Sequence, residues 1–192
     1  MENISTIGVV LAGGNSSRMQ GVDKSEIMFE GQSLVARAVA RLSPQVSEVC
    51  LSSAHDYGLD CVNISDITEG QQGPLAGVFA ALTWVVQNRP HAKAIVTVPV
   101  DAPFSPDDIA QRLVPIVIAT QKPAIAQTAD GLQPTFACWP VAILPDLAAH
   151  MKKGEAGALH YFAKKMGAAN IMFDDPHQFY NINNKEDLAK LS

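Results

Sequence analysis

The sequence is poor in cysteine and in aromatic residues, and these shortages exclude several classes of protein. Its three cysteines, Cys50, Cys61 and Cys138, form no CxxC pair and are too few for a disulfide framework. Each lies in an apolar run, which predicts small core residues in a reducing compartment. The first residues lack a basic leader with a cleavage site, and no apolar run is long enough to cross a bilayer. We therefore expect a soluble, cytoplasmic protein without a membrane partner.

Positive charge is also in short supply, because 14 lysines and arginines stand against 19 acidic residues. Partners that carry phosphate must be captured by a local cluster of cations, since the overall field repels them. The sequence has no basic stripe of the kind that binds nucleic acid.

The sequence also lacks zinc-ligand spacing and the GxSxG motif of hydrolases. Surface or packing roles are therefore predicted for the five histidines, His55, His91, His150, His160 and His177.

Apolar, β-branched segments alternate with segments of helical periodicity along the chain. Strands are predicted over residues 6–11, 48–52, 61–64 and 94–98. Helices are predicted over residues 33–42, 74–88, 141–151, 156–166 and 185–191, and a further helix is predicted to begin at Ser105, Pro106 and Asp108. This alternation predicts the α/β class, with a mostly parallel sheet, helices on both faces and one domain over residues 1–192. Ligands of such folds bind beyond the carboxyl ends of the strands.

A glycine-rich loop, LAGGNSSRMQGVDK over residues 11–24, follows the first predicted strand. The adjacent Gly13 and Gly14 allow a sharp turn and a close approach of the backbone to a ligand. Arg18 and Lys24 supply two cations that can pair with a triphosphate. Neither the Walker A sequence nor the GxGxxG fingerprint is present. The loop as a whole favours a phosphate site over a polar surface turn with two solvated cations.

The same loop resembles the signature LAGGxSxRMGxDK of a large group of nucleotidyltransferases, with Gln20 where that signature has glycine. Further landmarks along the chain share this resemblance, among them VPVDAPF at residues 98–104. The chain is most similar to the molybdenum cofactor guanylyltransferases, because LAGG and DK in the loop occur together with GPLAG at residues 73–77 and with NIN and EDL within 181–188. The resemblance implies a Rossmann-like nucleotidyltransferase fold of the GT-A type. It also implies transfer of GMP from GTP to molybdopterin, magnesium as cofactor, and contacts with the proteins that mature molybdoenzymes.

Asp101 ends a predicted strand that is otherwise apolar. Burying a carboxylate there is costly unless it is paired or bound to a metal. One aspartate is enough for a magnesium ion that is bound mainly by a triphosphate and water. From its position alone, Asp101 can equally cap the turn that follows. Its place on the same predicted edge as the glycine-rich loop favours the metal role, which the resemblance also implies.

The resemblance implies further roles in nucleotide handling. Lys24 and Arg18 are expected to act with Asp101 in catalysis by holding the triphosphate and stabilising the leaving pyrophosphate. The backbone of four residues is expected to cradle the nucleotide: Leu11, Ala12, Gly13 and Gly14. Two other nucleotide contacts are expected from Ser52, where relatives carry a base-reading asparagine, and from Asp66, which can equally be a solvated loop acid.

The acceptor edge is expected to include Asn181 and Asn183. Asn183 has a second interpretation, as a turn residue that caps the last helix. Gln133 departs from the pattern, because relatives tend to carry histidine before the following proline, and this change affects the expected acceptor pocket.

The implied nucleophile is a terminal phosphate whose second pKa of roughly 6 leaves it mostly dianionic at neutral pH. No general base is then required, and catalysis consists of positioning and charge neutralisation.

Two alternative functions share the glycine-rich loop and the acid Asp101. One is a relative that uses CTP or a sugar-phosphate acceptor, and the other is a non-catalytic regulator that binds nucleotides. Intact Lys24 and Asp101 argue against the regulator.

Overall fold

The computed structural model describes residues 5–13, 18–19, 22–65, 73–152 and 158–183, together with Asp187. The central sheet consists of seven strands: β1 (Thr6–Leu11), β6 (Glu48–Ser52), β7 (Val62–Ile64), β8 (Ala94–Pro99), β9 (Ala124–Thr128), β10 (Gly131–Pro140) and β11 (Ala169–Met172). Their order across the sheet is β11–β9–β10–β8–β1–β6–β7. Strand β10 is antiparallel to both neighbours, and the other pairs are parallel. The sheet is thus mostly parallel, as predicted.

Two short hairpins connect the first strand with the first helix. They pair β2 (Arg18–Met19) with β3 (Val22–Asp23), and β4 (Met28–Phe29) with β5 (Gln32–Ser33). Strand β3 ends at Asp23, immediately before Lys24.

Helices cover both faces of the sheet, as the alternating sequence pattern predicts. They are α1 (Leu34–Leu42), α2 (Pro74–Asn88), α3 (Ile109–Thr120), α4 (Leu144–Lys152) and α5 (Leu159–Lys165). One apolar layer packs α1 and α3 against the sheet, and the other layer packs α2, α4 and α5 against the opposite face. Alternate residues of β1 enter the two layers, with Val10 in the first and Val9 and Leu11 in the second.

Several predicted elements are confirmed at their bounds. Strands over residues 6–11 and 48–52 and the helix over residues 74–88 match β1, β6 and α2. Ser33 is the N-cap of α1, as its position predicts, because its Oγ accepts a hydrogen bond from the Ala36 amide at 3.3 Å. The predicted helix over residues 141–151 is a 3₁₀ turn over Val141–Ile143 followed by α4. Apart from Asp187, the predicted helix over residues 185–191 lies outside the described residues.

The predicted start of a helix at Ser105, Pro106 and Asp108 is wrong. Helix α3 begins only at Ile109, and Asp108 occupies the N-cap position without a side-chain hydrogen bond to the helix. The Ser105 hydroxyl instead donates to the Ala102 carbonyl at 2.7 Å and stabilises the loop after β8. The sequence pattern predicts that Ser105 caps the helix, but its hydroxyl bonds a nearby carbonyl group instead.

Two of the three cysteines lie in the core. Cys50 and Cys138 are fully buried and Cys61 is half-buried, and all three are free thiols. Burial raises the pKa of Cys50 to about 12, so its thiol stays protonated at neutral pH. No helix among the described residues combines the length and apolar composition needed to cross a membrane.

Candidate active site

The site begins where three parallel strands end at one edge of the sheet. Backbone pairing continues one residue past these ends, because the Ala12 amide donates to the Ser52 carbonyl at 3.0 Å and the Val100 amide donates to the Leu11 carbonyl at 3.1 Å. The glycine-rich loop and the loop that carries Asp101 therefore leave the sheet side by side. This arrangement confirms that both features share one edge.

Lys24 begins a 3₁₀ turn, Lys24–Glu26, that Asp23 caps. One carboxylate oxygen of Asp23 accepts from the Ser25 amide at 2.9 Å, and the other accepts from the Tyr57 hydroxyl at 2.8 Å. Lys24 itself is only 5 % exposed, which is unusual for a lysine. The turn therefore directs the side chain of Lys24 into the protein instead of into solvent.

The buried ammonium of Lys24 brings together residues from three distant parts of the chain. Lys24 Nζ donates to Asp101 Oδ2 at 2.8 Å and to Asn183 Oδ1 at 3.0 Å. The side chains of Lys24 and Asp101 are 6 % and 19 % exposed. Burial of a lysine ammonium is costly unless partners of this kind compensate its charge. Three residues selected from the sequence thus form one cluster at the sheet edge.

The segment that carries Asn183 is attached to the same loop. The Ile182 amide donates to the Asp101 carbonyl at 2.8 Å, so this segment pairs directly with the loop that follows β8. The backbone amide of Asn183 donates to Asp187 Oδ2 at 2.8 Å, and the Tyr180 hydroxyl donates to Asp187 Oδ1 at 3.2 Å. The second interpretation of Asn183, as the cap of the last helix, concerns a helix that lies outside the described residues apart from Asp187.

Asn181 lies beside this cluster with an unusual side-chain environment. Its Oδ1 is buried and has no hydrogen-bond partner within the described parts of the chain. A buried amide oxygen without a partner is unfavourable in a finished protein interior. Contact between Asn181 and the acceptor substrate remains a prediction.

The residues expected around the nucleotide differ in exposure. Leu11 and Ala12 are 7 % and 5 % exposed, so only their backbone can face a ligand, whereas Gly13 is exposed. Ser52 is 2 % exposed and lies beneath the first turn of α2. The approach there is close, since a Cβ atom at Gly77 would lie 2.7 Å from Ser52 Oγ. Base reading by Ser52 stays a prediction, and its burial limits the hydroxyl surface it can offer.

Other predicted residues fall outside what the structure describes. Gly14 and Asp66 belong to undescribed segments, and for Arg18 only the backbone, paired with Asp23 in the β2–β3 hairpin, is described. Their expected roles remain predictions. Gln133 is described, and its Nε2 donates to Thr128 Oγ1 at 3.3 Å.

Two arginines of α1, which were not among the predicted site residues, support the loop that carries Asp101. Arg37 Nε donates to the Pro103 carbonyl at 2.9 Å, and Arg41 Nε donates to the Ser105 carbonyl at 2.6 Å. The Arg37 guanidinium also lies 5.0 Å from the centre of the Phe29 ring. Their four-residue spacing on one helix is the only local signal for this role.

The donor set fits a hard divalent cation that is held mainly by a triphosphate. Asp101 offers carboxylate oxygens and Asn183 offers an amide oxygen, and the Lys24 ammonium already lies between them as a positive charge. No group of three or more His, Cys, Asp or Glu side chains that could hold a metal occurs in the described part of the chain. Such a cation needs only one or two protein oxygens when phosphate and water supply the rest.

Comparison with known proteins supports the same interpretation. Residues 8–169 match the family model of the MobA-like NTP transferase domain. The chain is 41% identical to a molybdenum cofactor guanylyltransferase of Cereibacter sphaeroides over 187 residues, which is 95% of this chain and 93% of the relative. A molybdenum cofactor guanylyltransferase of Rhizobium meliloti strain 1021 is 36% identical over 197 residues, with 95% and 88% of the two chains covered.

A solved structure shares the fold. It is the molybdopterin-guanine dinucleotide biosynthesis protein A of Archaeoglobus fulgidus, with a TM-score of 0.73 over 96% of this chain and 95% of that chain. The identity between the two sequences is 19%, so this likeness concerns the fold alone.

Proposed function

The chain belongs to the MobA-like NTP transferase domain family and is a nucleotidyltransferase, and we propose that it transfers GMP from GTP to the molybdopterin form of the molybdenum cofactor. The products are the guanine dinucleotide cofactor and pyrophosphate. The observation that carries the proposal is the buried Lys24–Asp101 pair, which lies where the glycine-rich loop and β8 leave the same edge of the sheet.

The proposed reaction is a displacement at the α-phosphorus of GTP. A terminal phosphate oxygen of molybdopterin forms the new bond to phosphorus, and the bond from the α-phosphorus to the bridging oxygen breaks. Pyrophosphate leaves with the electron pair of the broken bond. The attacking phosphate has a second pKa of roughly 6 and is mostly dianionic at neutral pH. The enzyme has no proton to remove, and its task is to bring two polyanions together.

Lys24 neutralises phosphate charge in this proposal. Its ammonium is held at the site by Asp101 and Asn183, so the enzyme does not have to recruit a mobile side chain from solvent. When the nucleotide binds, the ammonium moves its interactions from carboxylate to phosphate oxygens and follows the charge that develops on pyrophosphate. Arg18, on the same glycine-rich loop, is proposed to assist.

Membership of an NTP transferase family implies a divalent cation, and magnesium is our proposal for it. Asp101 and the amide oxygen of Asn183 would hold it, and a bound magnesium ion would supply charge neutralisation of the phosphates. The backbone of residues 11–14 is proposed to cradle the nucleotide, with Ser52 and Asp66 nearby. Asn181, whose Oδ1 has no hydrogen-bond partner among the described residues, and Asn183 are proposed to face the acceptor.

The test is incubation of the purified protein with magnesium, molybdopterin that carries molybdenum, and each nucleoside triphosphate in turn, followed by mass analysis of the products. We expect the guanine dinucleotide and pyrophosphate when GTP is supplied, and neither product with the other nucleoside triphosphates. The Lys24→Met variant should not form the product. Lys93→Met is a charge-matched control, because Lys93 is exposed and precedes β8 at the opposite edge of the sheet.

Two results would change the conclusion. A cytosine dinucleotide formed as fast or faster from CTP would assign the chain to cytidylyl transfer. Nucleotide binding without pyrophosphate release from any nucleotide would indicate a non-catalytic regulator.

A further inference from the structure

Tyr57 contacts Asp23, the cap of the 3₁₀ turn that begins at Lys24, and it has no role in the proposed mechanism. It lies between β6 and β7, half-buried against the apolar layer that contains α1. Its hydroxyl donates to Asp23 Oδ2 at 2.8 Å and lies 3.4 Å from the Ser53 hydroxyl. The residues Asp23 and Tyr57 are 34 positions apart in the chain, so this contact is a tertiary feature of the fold.

The contact completes the hydrogen bonding of Asp23. The other oxygen of this carboxylate caps the 3₁₀ turn by accepting from the Ser25 amide at 2.9 Å. With both oxygens engaged, the carboxylate is held in one orientation, and the turn that begins at Lys24 starts from a fixed backbone position. Asp23 is also the acid next to Lys24 in sequence. Its engagement with Tyr57 and Ser25 leaves the Lys24 ammonium to Asp101 and Asn183.

Lysine needs this kind of support to act as a fixed charge. Its side chain has four rotatable bonds, and confining them costs a large amount of conformational entropy. A site that works by preorganised electrostatics loses rate when the charge is misplaced by a fraction of an ångström. The orientation of the turn therefore bears directly on the reaction.

We propose that Tyr57 is a positioning residue for nucleotidyl transfer, which acts through Asp23 to fix the turn that aims Lys24 at Asp101. This inference rests on the proposed function of the Lys24–Asp101 pair. It assigns Tyr57 no contact with substrate.

The chemistry of the phenol suits this role. Burial raises the pKa of Tyr57, and the charge of Asp23 acts in the same direction, so the hydroxyl remains a donor throughout the physiological pH range. Tyr57→Phe removes this donor and retains the ring that packs against the core. The variant therefore tests the hydrogen bond with little effect on packing. Tyr161→Phe is the matched control, because it deletes the same group from a side chain that is 64 % exposed on α5.

The experiment measures kcat and KM for the nucleotide, and amide exchange at Ser25 in the protein without substrate. Tyr57→Phe should lower kcat roughly tenfold, the scale of a lost hydrogen bond to a charged group, and should change KM less than about threefold. Exchange at Ser25 should accelerate, since the cap that this amide donates to is loosened. Tyr161→Phe should change neither quantity.

Three outcomes would overturn the inference. They are a kcat equal to that of Tyr161→Phe, a loss confined to KM, or a fall in kcat with unchanged exchange at Ser25. Failure of the proposed function is seen separately, as absence of product from the unmodified enzyme with GTP. If another nucleotide is the substrate, the same comparison is made with that nucleotide. The exchange measurement needs no substrate and decides in every case whether Tyr57 supports the turn.

Discussion

Lys24 and Asp101 lie 2.8 Å apart at Nζ and Oδ2, although 77 residues separate them in the chain. The ammonium forms an ion pair with a carboxylate that we propose as a metal ligand. In the nucleotide-free enzyme the two charges compensate each other, which makes their joint burial tolerable. The same contact sets lysine and a metal ion in competition for one carboxylate, and this competition can be measured.

Lys24→Met should strengthen the binding of a divalent cation to the nucleotide-free protein while it lowers turnover. Removal of a positive charge a few ångströms from the carboxylate should raise the affinity for Mn²⁺ by about tenfold or more, even after solvent screening. Electron paramagnetic resonance titration of free Mn²⁺ gives the affinity, and Lys93→Met controls for net charge. Unchanged Mn²⁺ affinity would mean that Asp101 is not where the cation binds.

Asp101→Asn should reduce kcat by on the order of 10²-fold or more, because it removes an electrostatic contact from the reaction centre. It also leaves the Lys24 ammonium without a full counter-charge, which should lower the free energy of unfolding by about 2 kcal/mol. Adding Lys24→Met should restore part of that stability without restoring activity. Urea unfolding and pyrophosphate release measure the two effects. Near-normal turnover of Asp101→Asn at saturating magnesium would refute the proposed metal role.

The rate should depend on pH through the substrate and not through a histidine. It should rise as the acceptor phosphate loses its second proton, at roughly pH 6 or somewhat below, and then level off. His177 is the most informative histidine to replace, because its ring lies 4.4 Å from that of Phe104, three residues after Asp101. His177→Gln should keep the plateau and its rate within about threefold. A fall above about 10²-fold in any folded histidine variant would indicate a general base and a hydroxyl acceptor.

Gly77→Ala should destabilise the enzyme by about 1–3 kcal/mol, the usual range for an overpacked interior. The new Cβ would lie 2.7 Å from Ser52 Oγ and 3.1 Å from Leu11 Cδ2, so the start of α2 has to move away from the ends of β1 and β6. Ser52→Ala removes the nearer atom and should recover part of the loss in the double variant. Denaturant midpoints of the two single variants and the double variant give the coupling. Simple additivity would show that the helix start relaxes elsewhere.

Local patterns were sufficient to predict the elements that build the site. The apolar run of β1, the capped start of α1 and the long stripe of α2 each carry their signal within one segment. The shared edge of the glycine-rich loop and Asp101 also follows from the sequence, because parallel strands end at a common edge. The direct pairing of Lys24 with Asp101 does not follow, since it depends on the path of the turn at Asp23.

Other features carry little local signal. Strand β10 contains Pro134 and Pro140 and changes register between Gln133 and Ala137, so its sequence does not show the regular alternation of a strand. The hydrogen bonds from Tyr57 to Asp23 and from Arg37 to Pro103 join residues 34 and 66 positions apart. Such pairs are determined by the assembled tertiary structure. One sequence alone cannot identify them.

The backbone of the loops at the sheet edge and the side chain of Lys24 are held by different kinds of interaction. The paths of Ala12 and Val100 are set by main-chain amides that pair with the neighbouring strand ends. Every amino acid except proline supplies such an amide, so substitutions that respect the packing leave these paths unchanged. The aim of Lys24 depends instead on particular side chains, those of Asp23, Tyr57 and Asn183, each of which a single mutation can remove. During evolutionary divergence we therefore expect the loop geometry to persist longer than the orientation of the catalytic charge.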